Sequence, residues 1–211
     1  MERTIAILTK SSKFGGHCVA GIDVNSGEWV RLVSDNSSKH GTLSDDNICY
    51  ADGCICNPLD IVCVDVVRAA PFAHQSENYL IDSHKRWRKI RECSLAEILQ
   101  VHPTDNFAYI YENTQPYIDG DTIKSIGYSL MLVSVSSLVI YKVRNSNNQQ
   151  KTKESFIYNG QRYSNIAVTD PAYYAAQENV RYVRAYLVVS LPDAPWPDDH
   201  YYKFIAKIYH E

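Results

Sequence analysis

The sequence lacks the local signatures of the commonest enzyme classes. It has no Gly-x-Ser-x-Gly elbow, no P-loop, no dinucleotide-type glycine fingerprint and no paired histidines at zinc-enzyme spacing. No window reaches the roughly 18 apolar residues that a membrane helix needs. The longest apolar run, residues 130–141, is broken by three serines, so no membrane partner is expected. The start of the chain sets Glu2 and Arg3 before a short apolar run and shows no secretory leader pattern. The six cysteines therefore read as reduced thiols of a cytoplasmic protein. Charge of one sign is also missing. The net charge is -3, so the chain is no bulk polycation.

What is present points to strands. A chain of 211 residues accommodates one large domain or two of about 100 residues. Apolar residues make up 45% and charged residues 21%, the balance of a soluble globular protein. Sixteen tyrosines and several Val/Ile-rich runs favour β-structure. In the first half, residues 4–9, 18–24, 28–34 and 59–68 are strand candidates, with a polar loop over 35–57. Ser94-Leu95-Ala96-Glu97 is a capping-box pattern that opens one helix, with Leu95, Ile98 and Leu99 on its apolar face and Pro103 after its end.

The second half repeats the theme. Residues 128–143 form one long bent strand or two. Asn159-Gly160 joins 155–158 to 162–168 as a type I′ hairpin, because both turn positions need positive φ. Residues 145–153 read as a polar loop. Thr169-Asp170-Pro171 opens a short helix, with Pro171 at its first position. Residues 184–190 and 201–209 are the last strands, joined by the proline-rich stretch 192–197. Four or five strands per half is the count of a Greek-key barrel of the OB type. The expectation is an all-β chain of two tandem OB-like barrels packed together, one over residues 1–110 with a helix near 95–101 and one over 111–211.

Two stretches are candidate phosphate sites. The Gly15-Gly16 turn exposes backbone amides that, with Lys13 and Arg31, could hold an anion; the bland alternative is a tight turn among surface charges. Residues 81–91 set Lys85, Arg86, Arg88, Lys89 and Arg91 against a single carboxylate, Asp82, on an otherwise acidic first half. Cations of this run could neutralise phosphates while Trp87 or Trp29 stacks on a base. The alternative is a strand with Trp87 and Ile90 in the core and solvated charges. Thr169, Asp170 and Lys203 are candidate cleft residues, although Thr169 or Asp170 equally serves as a helix cap. Tyr163, Tyr201 and Tyr202 are candidate stacking platforms or half-buried core rim. Cys54-Ile55-Cys56 has one intervening residue where zinc knuckles have two to four, so neither metal nor cofactor is expected. His17 and Cys18 are strand neighbours that point to opposite faces, which excludes them as a nucleophile pair.

The motif Ser11-x-Lys13-x-Gly15-Gly16-x-Cys18-Val19-Ala20-Gly21, followed by Trp29-Val30-Arg31-x-Val33-Ser34, resembles the amino-terminal signature of the bacterial dual OB-containing domain family. Glu77-Asn78-Tyr79, Thr169-Asp170-Pro171, and Ser190-Leu191 with His200-Tyr201-Tyr202-Lys203 are similar to its later landmarks. Leu32 stands where the pattern has proline and Tyr79 where tryptophan is common. The resemblance implies two tandem OB folds that bind nucleic acid or nucleotides in prokaryote–phage or mobile-element conflict. It brings no catalytic residue with it. The leading expectation is thus a non-enzymatic binding or sensing module for nucleic acid or a nucleotide. The alternatives are an enzyme on such substrates with its site between the barrels, and an adaptor for a protein partner.

Overall fold

The computed structural model describes residues 1–13, 15–35, 41–176 and 179–210, with only the backbone of Lys13. The chain forms two compact units, Met1–Pro103 and Thr104–Glu211.

In the first unit, β1 (Glu2–Lys13) pairs antiparallel with β2 (Gly16–Asp23), and β2 with β3 (Trp29–Val33). β4 (Asp60–Ala69) pairs with both β1 and β5 (Asn78–Ile81), and β5 runs parallel to β3. The pairings close a circuit in the order β1-β2-β3-β5-β4. β6 (Arg88–Glu92) adds outside it beside β4. Period-2 alternation explains the core: Ile5 and Ile7 of β1 meet Val62, Val64 and Val66 of β4 and Val30 and Leu32 of β3. At the β1–β2 bulge a Cβ on Gly21 would lie 2.1 Å from the carbonyl oxygen of Ala6, so only glycine lets the two backbones meet there.

The stretch read as a long polar loop does more than connect. Its described part, residues 41–57, carries a 3-10 turn at Asp45–Ile48 and sends Leu43, Ile48, Tyr50 and Cys56 into the core. Ser44 caps that turn by accepting from the amide of Asn47, whose side chain accepts from the Ser44 amide in return. The helix opened by Ser94 is α1 (Leu95–Val101). Ser94 Oγ accepts from the Glu97 amide at 3.2 Å and Glu97 Oε1 from the Ser94 amide at 2.9 Å.

The second unit repeats the cyclic order. After the short β7 (Tyr117–Asp119) come β8 (Leu130–Arg144), β9 (Gln150–Tyr158), β10 (Gln161–Val168) and β11 (Val180–Ser190). β12 (His200–Tyr202) pairs with β7, and β13 (Phe204–His210) completes the barrel. The closed order is β8-β9-β10-β13-β11, with β10 parallel to β13. This is the first unit's circuit again, reached without an evident sequence repeat: OB topology fixes pairing order, and the barrel accepts any residues with the right alternation. Asn159 and Gly160 take φ of 46° and 74°, as the hairpin requires. Ser137, at φ 53°, marks a bulge in β8 where its register against β9 shifts. Residues 150–153, read from sequence as loop, are the first turns of the ladder in β9. Their polarity belongs to the outward positions Lys151 and Lys153, while Thr152 and Glu154 face inward.

Among the described residues, no helix is long and apolar enough to cross a membrane.

Candidate functional site

The second barrel carries an open cavity of about 910 Å³ on the outer face of β9 and β10. These are its second and third strands, the surface that OB folds use with the flanking loops to hold oligonucleotides and oligosaccharides. Both flanking loops contribute here: Asn145 from the β8–β9 turn, and Trp196, Pro197 and Asp198 from the segment between β11 and β12. Alternation on β9 directs Lys151 and Lys153 outward into this groove, and Lys142 reaches it from β8.

Two of the three lysines, Lys142 and Lys153, find neutral partners. Lys142 Nζ donates to Thr152 Oγ1 at 2.7 Å and to the carbonyls of Tyr173 and Tyr174 at 2.8 and 2.9 Å. Lys153 Nζ donates to the Asn165 carbonyl at 3.1 Å. Burial lowers the pKa of both ammonium groups. Among the described residues none of the three forms an ion pair with a carboxylate. Trp196, 54% exposed, and Tyr202 add aromatic surface, with ring centroids 5.9 Å apart and edge-on.

The residues singled out from sequence fall elsewhere, with two exceptions, Thr169 and Tyr202. Thr169 does line the groove. Asp170 is 1% exposed and is engaged by internal partners. It caps the 3-10 turn Pro171–Tyr173 by accepting from the Ala172 amide, also accepts from the Ile208 amide, and pairs with Lys207 at 3.1 Å. Lys203 is likewise internal at 1% exposure. Its Nζ donates to the carbonyl and side-chain oxygens of Asn113, and burial pulls its pKa down to about 7.

In the first unit, Arg31 is not free for phosphate. It is 4% exposed, its Nε donates to Glu77 Oε1 at 3.3 Å, and its Nη1 lies 2.9 Å from Cys18 Sγ. Gly15 is exposed with φ 76° and open space where a Cβ would be. Gly16 is a close-approach glycine: a Cβ there would lie 2.7 Å from the Leu43 carbonyl oxygen, and the neighbouring His17 exchanges both backbone hydrogen bonds with Leu43. The side chain of Lys13 lies outside the described residues.

The basic run is offset by carboxylates, three of them brought from distant sequence and two, Glu92 and Glu97, local. Lys85 pairs with Asp65, Arg88 with Glu2, Lys89 with Asp60 and Glu92, and Arg91 with Glu97, while Arg86 donates to the Asp46 carbonyl. Trp87 is 2% exposed and packed in the core, so no base can reach its face; Ile90, its sequence neighbour in the core reading, is exposed instead. Trp29 is half-buried, its ring edge-on to His102 at 5.4 Å. Of the tyrosine platforms, Tyr163 is fully buried against Phe156, Tyr201 packs against the barrel core, and Tyr202 alone lines the groove. Among the described residues no three His, Cys, Asp or Glu side chains gather as a metal site.

Two OB circuits in tandem call for one comparison above others. The family model for the dual OB-containing domain matches residues 3–208, nearly the whole chain. The chain belongs to that family. No curated protein and no solved structure matches it. As a dual OB-containing domain it is a binding module in general terms.

Lys142, Lys151, Lys153 and Trp196 were missed in sequence for identifiable reasons. The lysines are spread over two strands and do not form a run. Trp196 sits among prolines, which reads as linker until the barrel order makes that segment the loop before the last barrel strand. The available signal was the alternation of Lys151 and Lys153 with Thr152 and Glu154.

Proposed function

We propose that this chain is a non-enzymatic module that binds single-stranded nucleic acid or a nucleotide in the groove over β9 and β10. One observation carries the reading: three lysines that pair with no carboxylate among the described residues share an OB ligand face with an exposed tryptophan. Cations that follow a backbone beside an aromatic platform are the chemistry of single-strand recognition. Arg and Lys of residues 85–91 act in this reading as structural ion pairs. A role in prokaryotic antiphage or mobile-element conflict belongs to the same proposal and is supported by the family resemblance.

Fluorescence anisotropy with labelled single-stranded DNA and RNA tests it. The triple variant Lys151→Ala, Lys153→Ala, Trp196→Ala is expected to lose about 100-fold in affinity, since one stacked base alone is worth about 1–3 kcal/mol. The variant Lys85→Ala, Arg86→Ala, Arg88→Ala, Lys89→Ala is expected to bind like the parent, its fold checked by thermal melting. The reverse pattern returns the footprint to the basic run. Failure of the parent to bind any strand, with nucleotides also failing to bind, moves the function to a protein partner.

A further inference from the structure

We infer that the loop between β11 and β12 forms a guanine-selective subsite within this groove, with Asp198 reading the base edge and Trp196 stacking on its face. The inference rests on the binding proposal above and specifies which base it takes.

The loop is built as a tight turn. The Asp199 amide donates to the Trp196 carbonyl at 2.9 Å, and the Trp196 amide donates to the His200 carbonyl at 2.9 Å. Asp199 takes φ 62° to make the reversal. Trp196 and Asp198 therefore stand at two positions of one turn, and both line the groove. The carboxylate is held in place. Tyr202 Oη donates to Asp198 Oδ2 at 2.7 Å, His200 Nδ1 lies 3.3 Å from the same oxygen, and the His200 amide donates to Oδ1 at 3.3 Å. His200 is itself stacked on Tyr117 with centroids 3.8 Å apart. The tyrosine hydroxyl holds the Asp198 carboxyl below the usual carboxylate range, so it is an acceptor at neutral pH. Its side chain remains 48% exposed, with lone pairs left for a ligand.

A carboxylate in a lysine-lined groove repels phosphate, so it favours a nucleic-acid ligand only by accepting N–H donors from it. The bases differ in what they offer. Guanine presents N1–H and the 2-amino group side by side, two parallel donors that match two carboxylate oxygens. Adenine and cytosine present one amino group beside a ring nitrogen that is an acceptor and opposes the second oxygen. Thymine and uracil present one N–H between two carbonyls. Reading a base edge with a carboxylate beside an aromatic stack is a known mode of base recognition.

The test uses the full chain and oligothymidylate probes of about ten nucleotides. The central base is thymine, guanine, hypoxanthine, adenine or cytosine. The guanine probe is expected to bind about tenfold more tightly than the thymine probe, the low end for a bidentate pair because the carboxylate is part-exposed. The hypoxanthine probe, which keeps N1–H and lacks the 2-amino group, should lose most of that gain. Asp198→Asn replaces one carboxylate oxygen with an N–H donor and removes a charge that opposes phosphate, so the ratio of guanine-probe to thymine-probe affinity should fall to about one, whatever the shift common to all probes. Equal affinity of the parent for all five probes overturns the subsite and leaves the binding proposal standing. A guanine preference that survives in Asp198→Asn also overturns it. Absence of binding to every probe removes both.

Discussion

At the residue scale, the least expected group is Glu154. It lies on the inward side of β9, is completely buried, and among the described residues neither carboxylate oxygen has a hydrogen-bond partner. Burial raises its pKa well above the usual carboxylate value, with the nearby Asp170 carboxylate adding to the shift, so the residue holds its proton in the folded barrel. The sign follows from linkage. The folded state keeps a proton that the unfolded chain releases near its ordinary pKa, so the contribution to stability is complete below that value and is lost as pH rises toward the folded pKa. Lys203 acts in the opposite direction: its pKa is pulled down to about 7, so its burial costs least at alkaline pH. Comparison of the parent with Glu154→Gln isolates the first effect. The melting temperature of the variant relative to the parent should rise with pH from mildly acidic to alkaline solution, by a few degrees for each kcal/mol relieved. A pH-independent difference between the two would show that Glu154 ionises in the fold over the same pH range as in the unfolded chain.

At the element scale, the β9–β10 hairpin positions the groove. Its two strands carry Lys151 and Lys153 on one side and Asn165 and Ala167 on the other, and their register is set by the Asn159-Gly160 turn. Gly160 has open space around it but a φ of 74°, so a side chain there meets no neighbour and strains the backbone alone. Gly160→Ala is expected to cost about 1–2 kcal/mol in urea unfolding with an unchanged denaturant slope. A neutral substitution would mean that the strands, rather than the turn, fix the register. This turn was legible in sequence because its chemistry is contained in two adjacent residues. The same holds for the Ser94–Glu97 capping box, and for Asp170 before Pro171. Strand β9 was only half legible: residues 155–158 follow the turn signal, whereas 150–153 read as loop. Their β-structure depends on pairing with Lys142, Val143 and Arg144 of β8, which local composition does not report.

At the scale of the whole molecule, the two units differ in how they offset their cations. The first unit contains the densest cation run and offsets it with Glu2, Asp60, Asp65, Glu92 and Glu97; the second contains fewer adjacent cations and sets three of them in a groove with no carboxylate partner among the described residues. Binding governed by those three lysines should show a log–log salt slope of about -2 for single strands, at about 0.7 per neutralised phosphate. A slope of about -4 or steeper would bring the basic run back into the contact. The sequence by itself determined the all-β class, the tandem OB count, the hairpin turn and the helix cap, because alternation, turn dihedrals and capping act between residues a few positions apart. Only the tertiary structure decided that Arg31 is committed to Glu77, that Trp87 is core, that Asp60 and Asp65 meet Lys89 and Lys85, and that Trp196 joins Lys151 and Lys153 on one face. Those outcomes depend on which strands close each barrel, and closure sets side by side residues that the chain holds tens of positions apart.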